Sequence, residues 1–173
     1  MHTVNRPTFF TEIGQPIRAA GILCYVNHKF FNKDRSKDTS KNDKKIWLLR
    51  KQNESFSDTG GKTDIVDQTI IDTAIRETVE ETNGHLFSFH HTFEECTNIL
   101  VKEFKKQNPV PIYSENCKYI VFPLKLRYKN KLLSLKRFGN KEIHDDMEHS
   151  YEWIENIPKN IHPRLKSIRK QLI

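Results

Sequence analysis

The chain has 173 residues, 36% of them hydrophobic and 29% charged. That length suffices to bury a core and fits one domain over residues 1–173, and the composition fits a soluble, rather polar globular protein. No apolar run approaches the roughly 20 residues that cross a bilayer, and the first ten residues lack the basic-then-apolar order of a secretory leader. A cytoplasmic protein with no membrane partner is therefore expected. Cys24, Cys96 and Cys117 are odd in number and widely spaced, without a C-x-x-C pair, so reduced thiols are expected rather than a disulfide frame or a zinc site.

The net charge is +7, from 29 Lys and Arg against 22 Asp and Glu. Such a balance draws polyanions, among them nucleotides, RNA and polyphosphates. The same charge also fits a surface that is merely lysine-rich, because the basic residues are spread along the chain.

In chain order, residues 17–26 are apolar and partly β-branched, and read as a buried strand. Residues 32–45 are almost wholly polar and predict a mobile loop. A second strand at 46–50 makes a long-looped hairpin with the first. Residues 56–62 read as a glycine-rich turn. A helix is predicted from Asp67 or Gln68 to Thr82, stopped by Asn83 and Gly84. A second helix, 93–106, carries Phe93, Cys96, Ile99, Leu100, Val101 and Phe104 as a stripe. Strands follow at 110–113 and 118–126, then a loop at 141–150, a strand at 151–154, and a last helix at 164–172 behind Pro163. Mixed helices and strands predict a two- or three-layer α/β sandwich.

On a helix turning about 100° per residue, Glu77, Glu80 and Glu81 share one arc, and Ile71, Ala74, Ile75 and Thr78 a broad opposite side. Clustered carboxylates repel, and a divalent cation reverses that cost. Oxygen-rich sites suit Mg2+ or Mn2+. A bare acidic helix face partly neutralised by Arg76 is the plainer reading. The Gly60-Gly61-Lys62 turn ahead of the helix shifts the balance, since glycines let a backbone approach a ligand and a helix start favours anions.

Taken together, Gly61, Arg76, Glu77, Glu80 and Glu81 resemble the Nudix box, G-x5-E-x7-R-E-U-x-E-E-x-G-U, over residues 61–84. There are four departures. The early glutamate is Asp67. Eight residues, not seven, separate it from Arg76. The apolar position after Arg-Glu is Thr78, and the late glycine is Asn83, with Gly84 next. The insertion is expected to distort the loop rather than the helix, and Asp67, ahead of Asp72, is the expected partner of Arg76.

The resemblance implies a Nudix-type α/β/α sandwich with a mixed sheet. It also implies a metal-dependent hydrolase that cleaves a diphosphate linkage in a nucleotide or other diphosphate-containing substrate. Under it, Glu77, Glu80, Glu81 and the Gly61 carbonyl bind Mg2+ or Mn2+, Arg76 orients the carboxylates, and Gly60, Gly61 and Lys62 meet the substrate phosphates. The general base is a box glutamate or a carboxylate of the 141–150 loop, where Glu142, Asp145, Asp146 and Glu148 are candidates and Glu148 the first choice. A solvated acidic turn is the competing reading of that loop.

Capped mRNA is one candidate substrate, favoured by the net charge and by Arg164, Lys166, Arg169 and Lys170. Small nucleotides, nucleotide sugars and highly phosphorylated inositols are others. A catalytically silent Nudix-fold module that binds nucleotide or RNA is the alternative, and a homodimer is the family's frequent state. The histidines, including His90, His91, His144 and His149, read as scattered surface residues. Phe9, Phe10, Phe87 and Phe89 can stack on a base, but mostly read as core.

Overall fold

A computed structural model describes residues 5–28, 44–128, 134–142 and 147–172. The polar loop expected at 32–45 lies outside them, apart from Lys44 and Lys45. Strand β3 (Ala19–Asn27) is the spine of a seven-stranded mixed sheet. β8 (Tyr119–Lys125) runs parallel to it along Ala19 to Tyr25. The other edge of β3 is shared between two antiparallel strands. β6 (Thr59–Lys62) takes Ala19 to Ile22, and β4 (Lys45–Gln52) takes Tyr25 to Asn27. β5 (Ser55–Ser57) and β9 (Ser150–Ile154) pair with β4, and β7 (Ile112–Ser114) with β8. A small separate ribbon joins β1 (Phe9–Phe10) to β2 (Pro16–Ile17).

The twofold alternation of side chains along a strand sorts the core into two layers. Ala20, Ile22, Cys24 and Val26 face Ala74, Ile75 and Val79 of helix α1 (Ile70–Glu81) and Leu100 and Phe104 of helix α2 (Phe93–Gln107). Leu23, Trp47, Leu49 and Val121 face the other way, against Ile157, Ile161, Leu165, Ile168 and Leu172. Short helix α3 (Pro163–Lys166) carries Leu165 into that second layer. Because both faces of β3 are covered, its sequence is an almost unbroken apolar run. The result is the expected α/β/α sandwich around a mixed sheet. No helix among the described residues is long and apolar enough to cross a membrane.

α1 begins at Ile70, later than predicted, because Thr69 and Asp72 form a reciprocal capping box, worth about 1 kcal/mol. Asp67 and Gln68 therefore lie in the loop ahead of the helix. Asn83 and Gly84 do end the helix, at φ values of 53° and 72°. Two predictions inside the helix fail. Ile71 is exposed, and Thr73 and Val79 take its expected place in the core. Glu81 is only 4% exposed, so the acidic face is not simply turned to solvent.

Residues 56–62 are not a turn but most of β5 and all of β6. β4 runs on to Gln52 and closes on β5 through Asn53 and Glu54, both left-handed, as a two-residue hairpin turn demands. The last helix breaks after Lys166 and resumes as a 3-10 turn at Arg169–Gln171. There the Arg169 side chain donates to the carbonyls of Ile157 and Pro158, and Ser167 bonds Ser114 at 2.9 Å.

Candidate functional site

β6 and α1 build the site between them. Gly60 pairs with Gly21 of β3, and its outward backbone groups meet side chains instead of a strand. The Gly60 N–H donates to Glu81 Oε2 at 3.0 Å, and its C=O accepts from Arg164 Nη1 at 3.3 Å. Neither Gly60 nor Gly61 adopts the left-handed conformation. What they supply is the absence of a side chain. A Cβ on Gly61 would overlap the Glu77 carboxylate, and one on Gly60 or Gly21 would overlap the Tyr119 hydroxyl.

Arg76 gathers the open end of the site. Its Nε and Nη2 donate to the two oxygens of Asp67 at 3.0 Å each, and Nη2 also reaches the Lys62 carbonyl at 2.9 Å. Nη1 donates to Glu77 at 2.8 Å and stands 3.6 Å from Glu80. Asp67 is therefore the partner of Arg76. Asp72 instead belongs to the cap of α1. Burial alone would raise the pKa of Asp67, but hydrogen bonds from Arg76, Thr73 and the Asp64 backbone outweigh it and hold the carboxyl below its ordinary range.

A second arginine, Arg50 of β4, closes the buried end. Nη1 lies 3.2 Å from Glu81 Oε1, and Nη2 lies 3.3 Å from Glu142 and 3.1 Å from His149 Nδ1. His149 is buried, not a surface histidine, and His144 lies outside the described residues. Tyr151 donates its hydroxyl to the Glu81 carbonyl at 2.8 Å, securing the end of α1.

Burial pushes Glu81 up to about 8. Arg50 and Arg164 oppose that shift, while Glu77 and Glu142 add to it. Glu77 is raised for the same leading reason, against Arg76 and with Glu80 and Glu142. Four carboxylates, Glu77, Glu80, Glu81 and Glu142, thus crowd into one electrostatic neighbourhood.

Of the residues singled out in the sequence, Gly60, Gly61, Arg76, Glu77, Glu80 and Glu81 come together here. Lys62 is exposed, with its backbone rather than its ammonium bonded to Arg76. Glu148 is exposed beside the inward-turned His149. Asp145 and Asp146 lie outside the described residues. It is Glu142 that reaches Arg50. Asn83, the departure from glycine in the box, explains how: its Nδ2 donates to the carbonyls of Phe138 and Lys141, at 2.7 and 2.9 Å, and so moors the loop that carries Glu142.

Sequence reasoning missed Arg50, Asp58 and Tyr119, and named Arg164 only as part of a basic segment, whereas it is bonded to Asp58 and Gly60 within the fold. Arg50 left one signal. It shares the parity of Ile46 and Leu48, which face α1, so a charge there had to meet a partner on that helix.

A hard divalent cation fits the donor set by chemistry, since all the candidate ligands are oxygens whose mutual repulsion it would relieve. Among the described residues, however, no group of three or more His, Cys, Asp or Glu is gathered so as to hold a metal ion. Arg76 and Arg50 engage the carboxylate oxygens of Glu77 and Glu81 instead.

No family model matches the chain, and no curated protein matches it in sequence. Among solved structures it pairs with a Nudix hydrolase from M. smegmatis, RenU, over 96% of this chain and 92% of that one, at 10% identity and a TM-score of 0.42. A pairing that loose carries no argument about what this chain does.

Proposed function

We propose that the chain is a metal-dependent hydrolase of the Nudix type, cleaving a diphosphate linkage in a nucleoside diphosphate derivative or a related phosphorylated substrate. The observation that carries this reading is that Arg76 and Arg50 hold Glu77 and Glu81 against the backbone of Gly61 and Gly60, with Glu80 and Glu142 reaching the same two arginines. Two arginines orient the carboxylates there. A plain solvated acidic helix has no use for a glycine, Gly61, whose missing side chain makes room for a carboxylate.

Glu77, Glu80 and Glu81, with the Gly61 carbonyl, would hold Mg2+ or Mn2+, which neutralises diphosphate charge and acidifies a bound water. Arg76, anchored by Asp67, fixes the rotamer of Glu77 and keeps Glu80 near it. Both backbone groups of buried Gly60 are engaged, by Glu81 and Arg164, so it is the Gly61 backbone that phosphate would approach, with the exposed Lys62 ammonium beside it. Among the loop carboxylates, Glu142 replaces Glu148 as first choice for the general base, because Glu142 is the one paired to Arg50 beside Glu81.

Capped mRNA stays among the substrates to be tested, although Arg164 and Arg169 are engaged within the fold and only Lys166 and Lys170 of that basic segment are exposed. The second reading, a silent module that binds nucleotide or RNA, draws on the arginines that already engage the glutamates.

The deciding experiment is a hydrolysis screen with Mg2+ and with Mn2+. It covers capped RNA, nucleoside triphosphates, dinucleoside polyphosphates, nucleotide sugars and diphosphoinositols, with Glu80→Gln and Glu81→Gln as controls. Cleavage of one class by the natural chain alone supports the enzyme and names its substrate. Equal turnover in both variants overturns the metal assignment. Binding without cleavage turns the reading to the silent module, and light scattering on the same samples tells monomer from homodimer.

A further inference from the structure

Arg164 belongs to α3, in the layer opposite α1, yet it ends at the strand that carries the site. Its Nε lies 3.0 Å from Asp58 Oδ1, its Nη2 3.1 Å from the Asp58 carbonyl, and its Nη1 3.3 Å from the Gly60 carbonyl. The guanidinium lies over the Tyr119 ring, 4.8 Å from its centroid. Tyr119 donates its hydroxyl to the other oxygen of Asp58 and fills the space left by the missing side chains of Gly21 and Gly60. Asp58 and Tyr119 are 0% and 1% exposed, so this is a built unit rather than a surface contact.

One residue, Gly60, therefore joins two side chains from opposite layers. Its N–H is held by the Glu81 carboxylate and its C=O by the Arg164 guanidinium. Neutralising Asp58 needs only one nitrogen of Arg164. The other two grip backbone carbonyls two residues apart, which fixes the tilt of β6 as well as its charge balance.

We propose that Arg164 is a positioning residue for Glu81, holding β6 in the one placement at which the Gly60 N–H meets that carboxylate. The C-terminal segment then sets the geometry of the site without touching substrate. The inference rests on the reading of Glu81 as a metal-binding carboxylate only for its consequence, not for its geometry.

The test uses the full chain as Arg164→Lys and Arg164→Met, with Glu81→Gln and Glu80→Gln as references. Two quantities are read: the Gly60 amide resonance in metal-free protein, and the affinity for Mn2+ alone by calorimetry. Glu81→Gln defines the resonance of a Gly60 amide that has lost its carboxylate. Arg164→Lys keeps the charge but not the three-armed grip, so it should move the Gly60 amide part of the way towards that position. It should also weaken Mn2+ binding. Arg164→Met should complete the shift and lower affinity about ten-fold or more, the scale for losing a group that orients a metal ligand.

An unmoved Gly60 amide in Arg164→Lys, with Mn2+ affinity within about two-fold of the natural chain, overturns the proposal. If Arg164→Met does not fold, the Lys variant decides by the same two readings. If Glu80→Gln leaves Mn2+ binding unchanged, the metal reading is what fails, and the Gly60 amide alone then decides on Arg164.

Discussion

Arg76 grips Asp67 with two arms of its guanidinium, each 3.0 Å from a different carboxylate oxygen. The side chain of Asp67 is 2% exposed and that of Arg76 23%. This bidentate geometry locks Arg76 in place, and Arg76 in turn faces Glu77 and Glu80. The loop ahead of α1 is thereby coupled to the middle of the helix.

Asp67→Asn should destabilise the fold by about 2 kcal/mol, below the full cost of orphaning a buried ion because Arg76 retains some contact with water. The folded pKa of Asp67 is lowered, so its contribution is fully present above the unfolded value of about 3.9 and is lost as pH falls through the folded one. Urea unfolding measured from pH 6 down to pH 3 should show the gap between the natural chain and the variant closing at the acid end. A gap that stays constant there means that Asp67 contributes through shape alone.

Gly61→Ala and Gly60→Ala should separate function from stability. On Gly61 the added methyl first meets the end of the Glu77 side chain, which can yield by giving up its bond to Arg76. Such a variant should fold with near-natural stability and lose most turnover. On Gly60 the methyl meets Tyr119 and the backbone of Ala20 and Gly21, none of which can yield cheaply. That variant should lose about 3 kcal/mol or more by overpacking. Denaturant melts beside the hydrolysis assay check both.

Arg50→Met strands Glu81 in a buried setting and should cost about 3–5 kcal/mol, the range for removing one partner of a buried pair. Replacing both, as Arg50→Met with Glu81→Leu, should recover a large share of that loss while abolishing activity. A double-mutant cycle in urea measures the coupling. Additive losses would mean that Arg50 serves Glu142 and His149 rather than Glu81.

Alkylation of the native protein should mark Cys117 first. Cys117 is exposed, whereas Cys24 and Cys96 are buried. Burial pushes Cys96 up to about 11 and Cys24 higher still, so neither supplies thiolate near neutral pH. Mass spectrometry after brief iodoacetamide treatment should find one modified cysteine in folded protein and all three in denaturant. Early modification of Cys96 would show that α2 opens readily.

Local pattern carried much of this protein. The apolar run of β3, the stripe along α2 and the stop at Asn83 and Gly84 are legible because burial, helical period and left-handed backbone each leave a mark within a few residues. The spacing of Arg76, Glu77, Glu80 and Glu81 is local in the same sense. So is the nearness of Asp67 to Arg76, nine residues along the chain.

The rest depended on contacts between distant segments. Gly60 and Gly61 look like a turn in one dimension. Only the pairing of β6 with β3 turns them into a strand, and only α1 and Tyr119 packing against it explain why no side chain fits. Asn83 reads as a helix stop and serves also as the mooring of the Glu142 loop. Arg50 and Arg164 carry no local motif, since each is defined by carboxylates and carbonyls far along the chain. Sequence by itself determined which residue types are candidates for the site, because chemistry resides in residue type and near spacing. Tertiary structure alone decided which of them meet, because a buried charge takes its role from the partner that folding brings within about 3 Å.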